Sequence, residues 1–140
     1  MKCGIVGQNL IKKIEALKLK AYPCSAGVWT IGWGHTKGVK EGDTCTLCQA
    51  QKWFDEDIKW CEEAVNKYVK VDLTQNQFDM LCSFCFNTGA SRFGLSQVVK
   101  FINQNIHITA PEAFKKRYLT AFITALGNPC KGLVNRRLAE

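Results

Sequence analysis

The run FDMLCSFCFN at 78–87 constrains this chain more than any other feature. It follows Thr74-x-x-Gln77, a capping box in which each side chain satisfies a backbone N–H left open at a helix start. The helix so opened is apolar nearly all round, and Gly89 is placed to end it. Such a helix must be surrounded by other apolar faces. Lipid cannot supply them, because no apolar run in the chain approaches the roughly 18 residues that spanning needs. The rest of the chain therefore has to wrap around it, and 140 residues are enough for one domain with one core.

The wrapping elements can be read in order. Leu10, Ile11, Ile14 and Leu17 recur at helical spacing and predict a short amphipathic helix over 9–18, with Glu15 near its end. Between Tyr22 and Thr44 the texture changes. Glycines at 27, 32, 34, 38 and 42 and the β-branched, aromatic run VWTIGW predict a small antiparallel sheet with tight turns over about 22–44. Thr46 with Gln49 repeats the capping box, and Leu47, Ala50, Phe54, Ile58, Cys61, Val65 and Tyr68 mark the inner stripe of a long helix. Two more helices are expected at 95–104 and 111–124, and a last helical turn or two after Gly132. The expected architecture is α+β: a single domain of 1–140 with a small N-terminal sheet and a helical lobe over about 46–140.

Apolar residues at 46% and charged residues at 22% fit an ordinary globular chain. Nineteen Lys and Arg against 12 Asp and Glu give a net charge of +7, which favours a polyanionic partner. The basic residues are spread over several helices with no nucleic-acid-binding signature, so a solvated surface facing an anionic wall is the better reading, and no nucleic acid is expected. The N-terminal stretch MKCGIVGQNLIKKIEALKLK interleaves basic and apolar positions rather than forming a signal peptide, so synthesis in a reducing cytoplasm is expected. There most of the eight cysteines should be reduced, buried small hydrophobes, with Cys24 and Cys3 the most reactive. Cys45-x-x-Cys48 and Cys82-x-x-Cys85 invite a zinc reading. The two pairs lie further apart than the roughly 15–20 residues of the usual two-knuckle pattern. Both also fall on expected helices, so neither metal nor other cofactor is expected.

Glycoside hydrolysis uses one group to protonate the leaving oxygen and a second to activate water or attack the sugar. A carboxyl at a helix end can face groups on an adjoining sheet across a cleft. Glu15, Cys24 and Thr30 fit that layout, separated by eight and five residues and followed by Ile31-Gly32-Trp33-Gly34-His35-Thr36. In this pattern, in TQNQFDMLCSFCFNTGA at 74–90 and in GLVNRRLAE at 132–140, the chain resembles the phage lysozymes and endolysins of glycoside hydrolase family 24. The resemblance spans nearly the whole chain and is weaker over 91–118.

It implies a lysozyme-like fold with a cleft between sheet and helices. The substrate it implies is bacterial peptidoglycan, cut between N-acetylmuramic acid and N-acetylglucosamine. It implies Glu15 as general acid and Thr30 as holder of the attacking water. Cys24 stands where many members carry aspartate, as a nucleophile, a water-positioning group or an inactivating change. Tyr22, Gly34 and His35 are implied as supporting residues, His35 through a structural hydrogen bond, and Arg136 or Arg137 as the cation paired with Glu15. The resemblance further implies a monomer without stable membrane insertion that reaches the wall after a holin-type lesion. A silent peptidoglycan-binding module on the same fold is the alternative function. Ala16 replaces the family's usual glycine, Phe122 replaces a common tryptophan, and the sequence stops at Glu140, earlier than in many relatives.

Overall fold

The structure is a computed structural model that describes residues 1–106, 112, 118, 124–125, 128–129 and 131–139. The helix expected over 111–124, Phe122 and Cys130 lie largely or wholly outside them. In order come α1 (Ile5–Glu15), β1 (Lys18–Pro23), β2 (Trp29–Gly32), α2 (Leu47–Tyr68), α3 (Gln75–Thr88), α4 (Ala90–Leu95), α5 (Gln97–Asn103), the two-residue strands β3 (Thr124–Ala125) and β4 (Asn128–Pro129), and α6 (Lys131–Ala139). The architecture is α+β, as expected. No helix among the described residues is long and apolar enough to cross a membrane.

Helix α3 is the centre. Phe78, Leu81, Cys82, Phe84 and Cys85 are buried, and so are the polar Asp79 and Ser83. Both capping boxes form with both reciprocal hydrogen bonds, at Thr74–Gln77 and Thr46–Gln49. Helix α2 turns Ala50, Phe54, Ile58, Cys61, Ala64 and Val65 inward. Leu47 and Tyr68 lie at the edge of that stripe: Leu47 is exposed, and Tyr68 is half-buried with its ring edge-on to Phe93. Helix α1 crosses α3 at Gly7, where a Cβ would come within 2.7 Å of the Asp79 side chain, so only glycine allows the approach.

Several boundaries differ from the sequence reading. Helix α1 starts at Ile5 and stops at Glu15 rather than covering 9–18, because Ala16 turns out of the helix at φ 54° and ψ 148°. The chain then enters β1 at Lys18, so the sheet begins four residues before Tyr22. Strands β1 and β2 pair antiparallel with Tyr22 opposite Thr30, and the register shifts between Lys18 and Tyr22. Beyond β2 only isolated bridges continue the sheet, Lys20 to Thr44 and Ile31 to His35. The helix expected at 95–104 is two helices. Ser96 adopts an extended backbone and its hydroxyl caps α5 by accepting from the Val99 N–H, which separates α5 from α4. The last helix is nine residues long, more than the turn or two expected, and the β3–β4 pair has no counterpart in the sequence reading.

Among the described cysteines, five are buried, as small core hydrophobes should be. Cys48 is a correction. It lies in the first turn of α2 and is exposed, whereas Cys3, expected to be reactive, is buried at 5% exposure. Cys45 precedes α2 instead of lying on it, its N–H donating to the Leu19 carbonyl. Among the described residues no group of three or more His, Cys, Asp or Glu is arranged to hold a metal.

Ala16 has a backbone conformation in which a Cβ is crowded, a strain of order 1–3 kcal/mol, part of which glycine removes before its own chain-entropy cost. Ala16→Gly should therefore raise stability by about 1 kcal/mol and Tm by roughly 3 °C, measured by calorimetry.

Candidate active site

The exit of α1, the β1–β2 hairpin and the C-terminal end of α3 enclose an open cleft of about 1090 Å³. Ordinary small-ligand pockets run to roughly 1,000 Å³, so an open trough of this size suits a stretch of polymer. Glu15, Tyr22, Cys24, Thr30, Gly34 and His35, spread from the end of α1 to the turn after β2, all line it, and so does Arg136 from the far end of the chain.

Glu15 is the last residue of α1, and its carboxylate is held by Arg136 of α6: Oε1 accepts from Nη1. The arginine is 4% exposed and is fixed from behind by α3, its Nη2 donating to the Ser83 carbonyl at 2.8 Å and to Ser83 Oγ at 3.3 Å. The choice left open between the two arginines is thereby decided. Arg137, one helical step on, points elsewhere: it stacks over Phe84 with 4.9 Å to the ring centre and donates to Asn87 Oδ1 at 2.5 Å.

Across the cleft, the hairpin presents three groups. Cys24 opens its turn, the N–H donating to the Val28 carbonyl at 2.9 Å, and its side chain is half-buried. Thr30 is 4% exposed and donates its hydroxyl proton to the Val28 carbonyl at 2.9 Å. Its oxygen keeps lone pairs that can accept from a water in the cleft. Tyr22 sits opposite Thr30. Burial, then the negative charges of Glu15 and of an ionised Cys24, push its phenol above the ordinary tyrosine range, so it stays a neutral O–H donor beside them.

Gly34 and His35 shape the wall. Gly34 has φ +85°, and a Cβ there would lie 2.9 Å from Glu15 Oε2 and 3.2 Å from Phe86 Cε1. The carboxylate thus occupies the space a side chain would take. His35 closes the turn after β2, exchanging backbone hydrogen bonds with Ile31. Its ring stacks on Trp53 of α2 at 4.9 Å, with Nδ1 2.8 Å from Asp57 Oδ2 and Nε2 3.1 Å from the Lys37 carbonyl. It ties the hairpin to α2.

Ser83, Asn87 and Asp57 were not singled out from the sequence. Ser83 and Asn87 lie within the SFCFN stretch, four residues apart and so on one helix face, a spacing that could have marked them as polar partners. Asp57 lies among several charged residues on α2 and carries no such mark.

Replacing Gly34 forces both a left-handed backbone onto a side chain and a clash with the Glu15 carboxylate. Gly34→Ala should cost about 1–3 kcal/mol of stability by denaturant unfolding. Cell-wall lysis by the folded variant should fall more than tenfold, because a misplacement near 1 Å can cost about a hundredfold in rate.

The phage lysozyme family model matches residues 12–140. The endolysin of Acyrthosiphon pisum secondary endosymbiont phage 1 is 42% identical over 134 residues, covering 96% of this chain and 91% of the relative. The endolysin of Salmonella phage P22 is 40% identical over 119 residues, covering 81% of this chain and 82% of the relative. Among solved structures, the muramidase domain of SpmX from Asticaccaulis excentricus superposes with a TM-score of 0.80 at 36% identity, over 99% of this chain and 93% of that one. A point mutant of P22 lysozyme superposes with a TM-score of 0.75 at 35% identity, over 99% and 95%. The cleft with its glutamate–arginine pair thus sits in a lysozyme-like α+β fold, and the chain belongs to the phage lysozyme family.

Proposed function

We propose that this chain is a phage endolysin, a muramidase in which Glu15 protonates the glycosidic oxygen between N-acetylmuramic acid and N-acetylglucosamine. Peptidoglycan hydrolysis follows from family membership and from likeness to endolysins and a muramidase domain. The single observation that carries the residue assignment is the setting of Glu15. It is a carboxyl at the end of a helix, clamped by a buried arginine, in a cleft whose other wall is a hairpin.

The chemistry divides between the two walls. Glu15 gives its proton to the leaving oxygen as the C1–O bond breaks, and Arg136 stabilises the carboxylate that remains. On the hairpin side, a water donating to Thr30 Oγ1 has a lone pair free to attack C1 from the opposite face. Cys24 lies beside that path and helps orient the water. The water loses one proton to solvent, and Glu15 regains one. The chain works as a monomeric single domain, its +7 charge drawing it to the anionic wall once a holin-type lesion has opened the inner membrane.

Glu15→Gln keeps the hydrogen bonding but has no proton to give. Lysis of permeabilised Gram-negative cells should fall at least about a hundredfold with the fold intact by circular dichroism, the usual worth of general acid catalysis being about 10²–10⁴. Near-normal lysis by that variant would refute the assignment.

Cys24→Asp should remain active, since either group need only orient water. Fresh products, read by proton NMR before mutarotation, should carry the α-anomer for the parent and the variant alike. A retained β-anomer, or a sugar trapped on Cys24, would make the cysteine a nucleophile.

A further inference from the structure

The ammonium of Lys12 is drawn into the molecule, outside the lining of the cleft. Lys12 lies on α1, one turn before Glu15. It is half-buried, where every other lysine whose side chain is described stands exposed. Its Nζ sits 4.5 Å from the ring centre of Trp33 and 4.6 Å from that of Phe54, and donates to Gln51 Oε1 at 2.7 Å. Gln51 is held in turn, its Nε2 donating to Asp55 Oδ1 at 2.7 Å. A charge withdrawn from water needs partners, and here two aromatic faces and an amide oxygen replace the lost hydration.

Three elements meet at that ammonium: α1 through Lys12 itself, the turn after β2 through Trp33, and α2 through Gln51 and Phe54. Trp33 is the joint between the two parts of the fold. It packs against both the helical core and the small cluster under the hairpin, and stands edge-on to Phe54 at 5.9 Å. Two supports of Glu15 run back to Lys12. The Lys12 carbonyl accepts from the Ala16 N–H at 3.0 Å and so closes the last turn of α1, the turn that carries the acid. The Lys12 ammonium rests on Trp33, and the next residue, Gly34, is the one against which the Glu15 carboxylate lies. Backbone and side chain of one residue thus set the two surfaces between which the acid is placed.

We propose that Lys12 is a positioning residue for hydrolysis: by holding Trp33 against α1 and α2, its ammonium sets how far the exit of α1 stands from the turn after β2, and so where Glu15 presents its proton. This role depends on Glu15 being the general acid, as proposed above. Lys12 meets neither glycan nor attacking water in it, and acts only through Trp33 and Gly34. Without the charge, the face of Trp33 loses its hold on α1, and Gly34 shifts with it. The hairpin tip and the arginine clamp keep their own contacts, so substrate binding should survive while proton transfer suffers. A full 1 Å misplacement can cost about a hundredfold in rate, and a shift passed on through Trp33 and Gly34 should cost about tenfold.

The test measures kcat and KM for reducing-end release from solubilised peptidoglycan, with the folding of each variant followed by circular dichroism. Lys12→Met keeps the stem and removes the charge: kcat should fall about tenfold, with KM within about twofold of the parent. Lys12→Arg, whose guanidinium also stacks on aromatic faces, should recover kcat to within about threefold. Val99→Ala, buried on α5 and outside the cleft lining, should lower Tm and leave kcat unchanged, which separates lost stability from lost placement. If Lys12→Met does not fold, Lys12→Gln, neutral but still able to donate to Gln51, decides on the same terms. Parent-like kcat in the neutral variant, a loss carried by KM, an arginine variant no better than the neutral one, or an equal loss of kcat in Val99→Ala would each overturn the proposal. Glu15→Gln separates this failure from that of the acid assignment. With Glu15→Gln inactive, those results sink the role of Lys12 alone, whereas a Glu15→Gln variant as active as the parent sinks both.

Discussion

The contact between Arg136 and Glu15 joins residues 121 positions apart and brings α6 to the wall of the cleft beside the exit of α1. One partner sits at the exit of the first helix and the other on the last, so the pair fixes both ends of the described chain against α3. The arginine is almost fully buried, and a buried charge is tolerable only when its donors are used. Here they are, on the carboxylate and on Ser83. Removing one side of such a pair typically costs about 3–5 kcal/mol, because the other is left as an uncompensated buried charge. The same contact that orients the acid therefore also welds α6 to the body.

A second set of constraints fixes the facing wall. The hairpin has a small apolar underside of Ala21 and Ile31 that packs with Cys45 and Ala50, with tryptophans at 29, 33 and 53 around it. A two-stranded sheet is marginal by itself in water. His35 supplies what the strands lack, stacking on Trp53 and reaching Asp57, so that the hairpin is anchored to the longest helix. Gly34, next in sequence, leaves room for the Glu15 carboxylate to lie against the turn. Anchor and gap are adjacent, which is why the two walls come as close as they do.

The central helix, both capping boxes and the α+β class were legible because each depends on local pattern: an apolar run, a Thr-x-x-Gln start, a glycine-rich β-branched stretch. Element ends were less so. The end of α1 depends on Ala16 taking a conformation that alanine ordinarily avoids, and a helical apolar stripe running on to Leu17 gives no hint of it. Ser96 reads as an ordinary residue inside a helical stretch, although its hydroxyl and extended backbone divide α4 from α5. Cys48 reads as a partner of Cys45, but on α2 it lies off the inward stripe of Ala50, Phe54 and Ile58 and faces solvent.

By itself the sequence determined the order of elements as far as the central helix, that this helix must be buried, and the spacing of Glu15, Cys24 and Thr30 that the family resemblance rests on, since these are periodicities and intervals along one chain. Which arginine meets Glu15 was not available from it. Arg136 and Arg137 are neighbours of the same type, and about 100° of helix rotation sends one into the cleft and the other over Phe84 toward Asn87. The same holds for Asp57 against His35 and for Asp79 against the Gly4 N–H, pairs distant in sequence whose members carry no mark of each other. Such pairings are decided when helices and hairpin pack, because only then is it settled which faces touch.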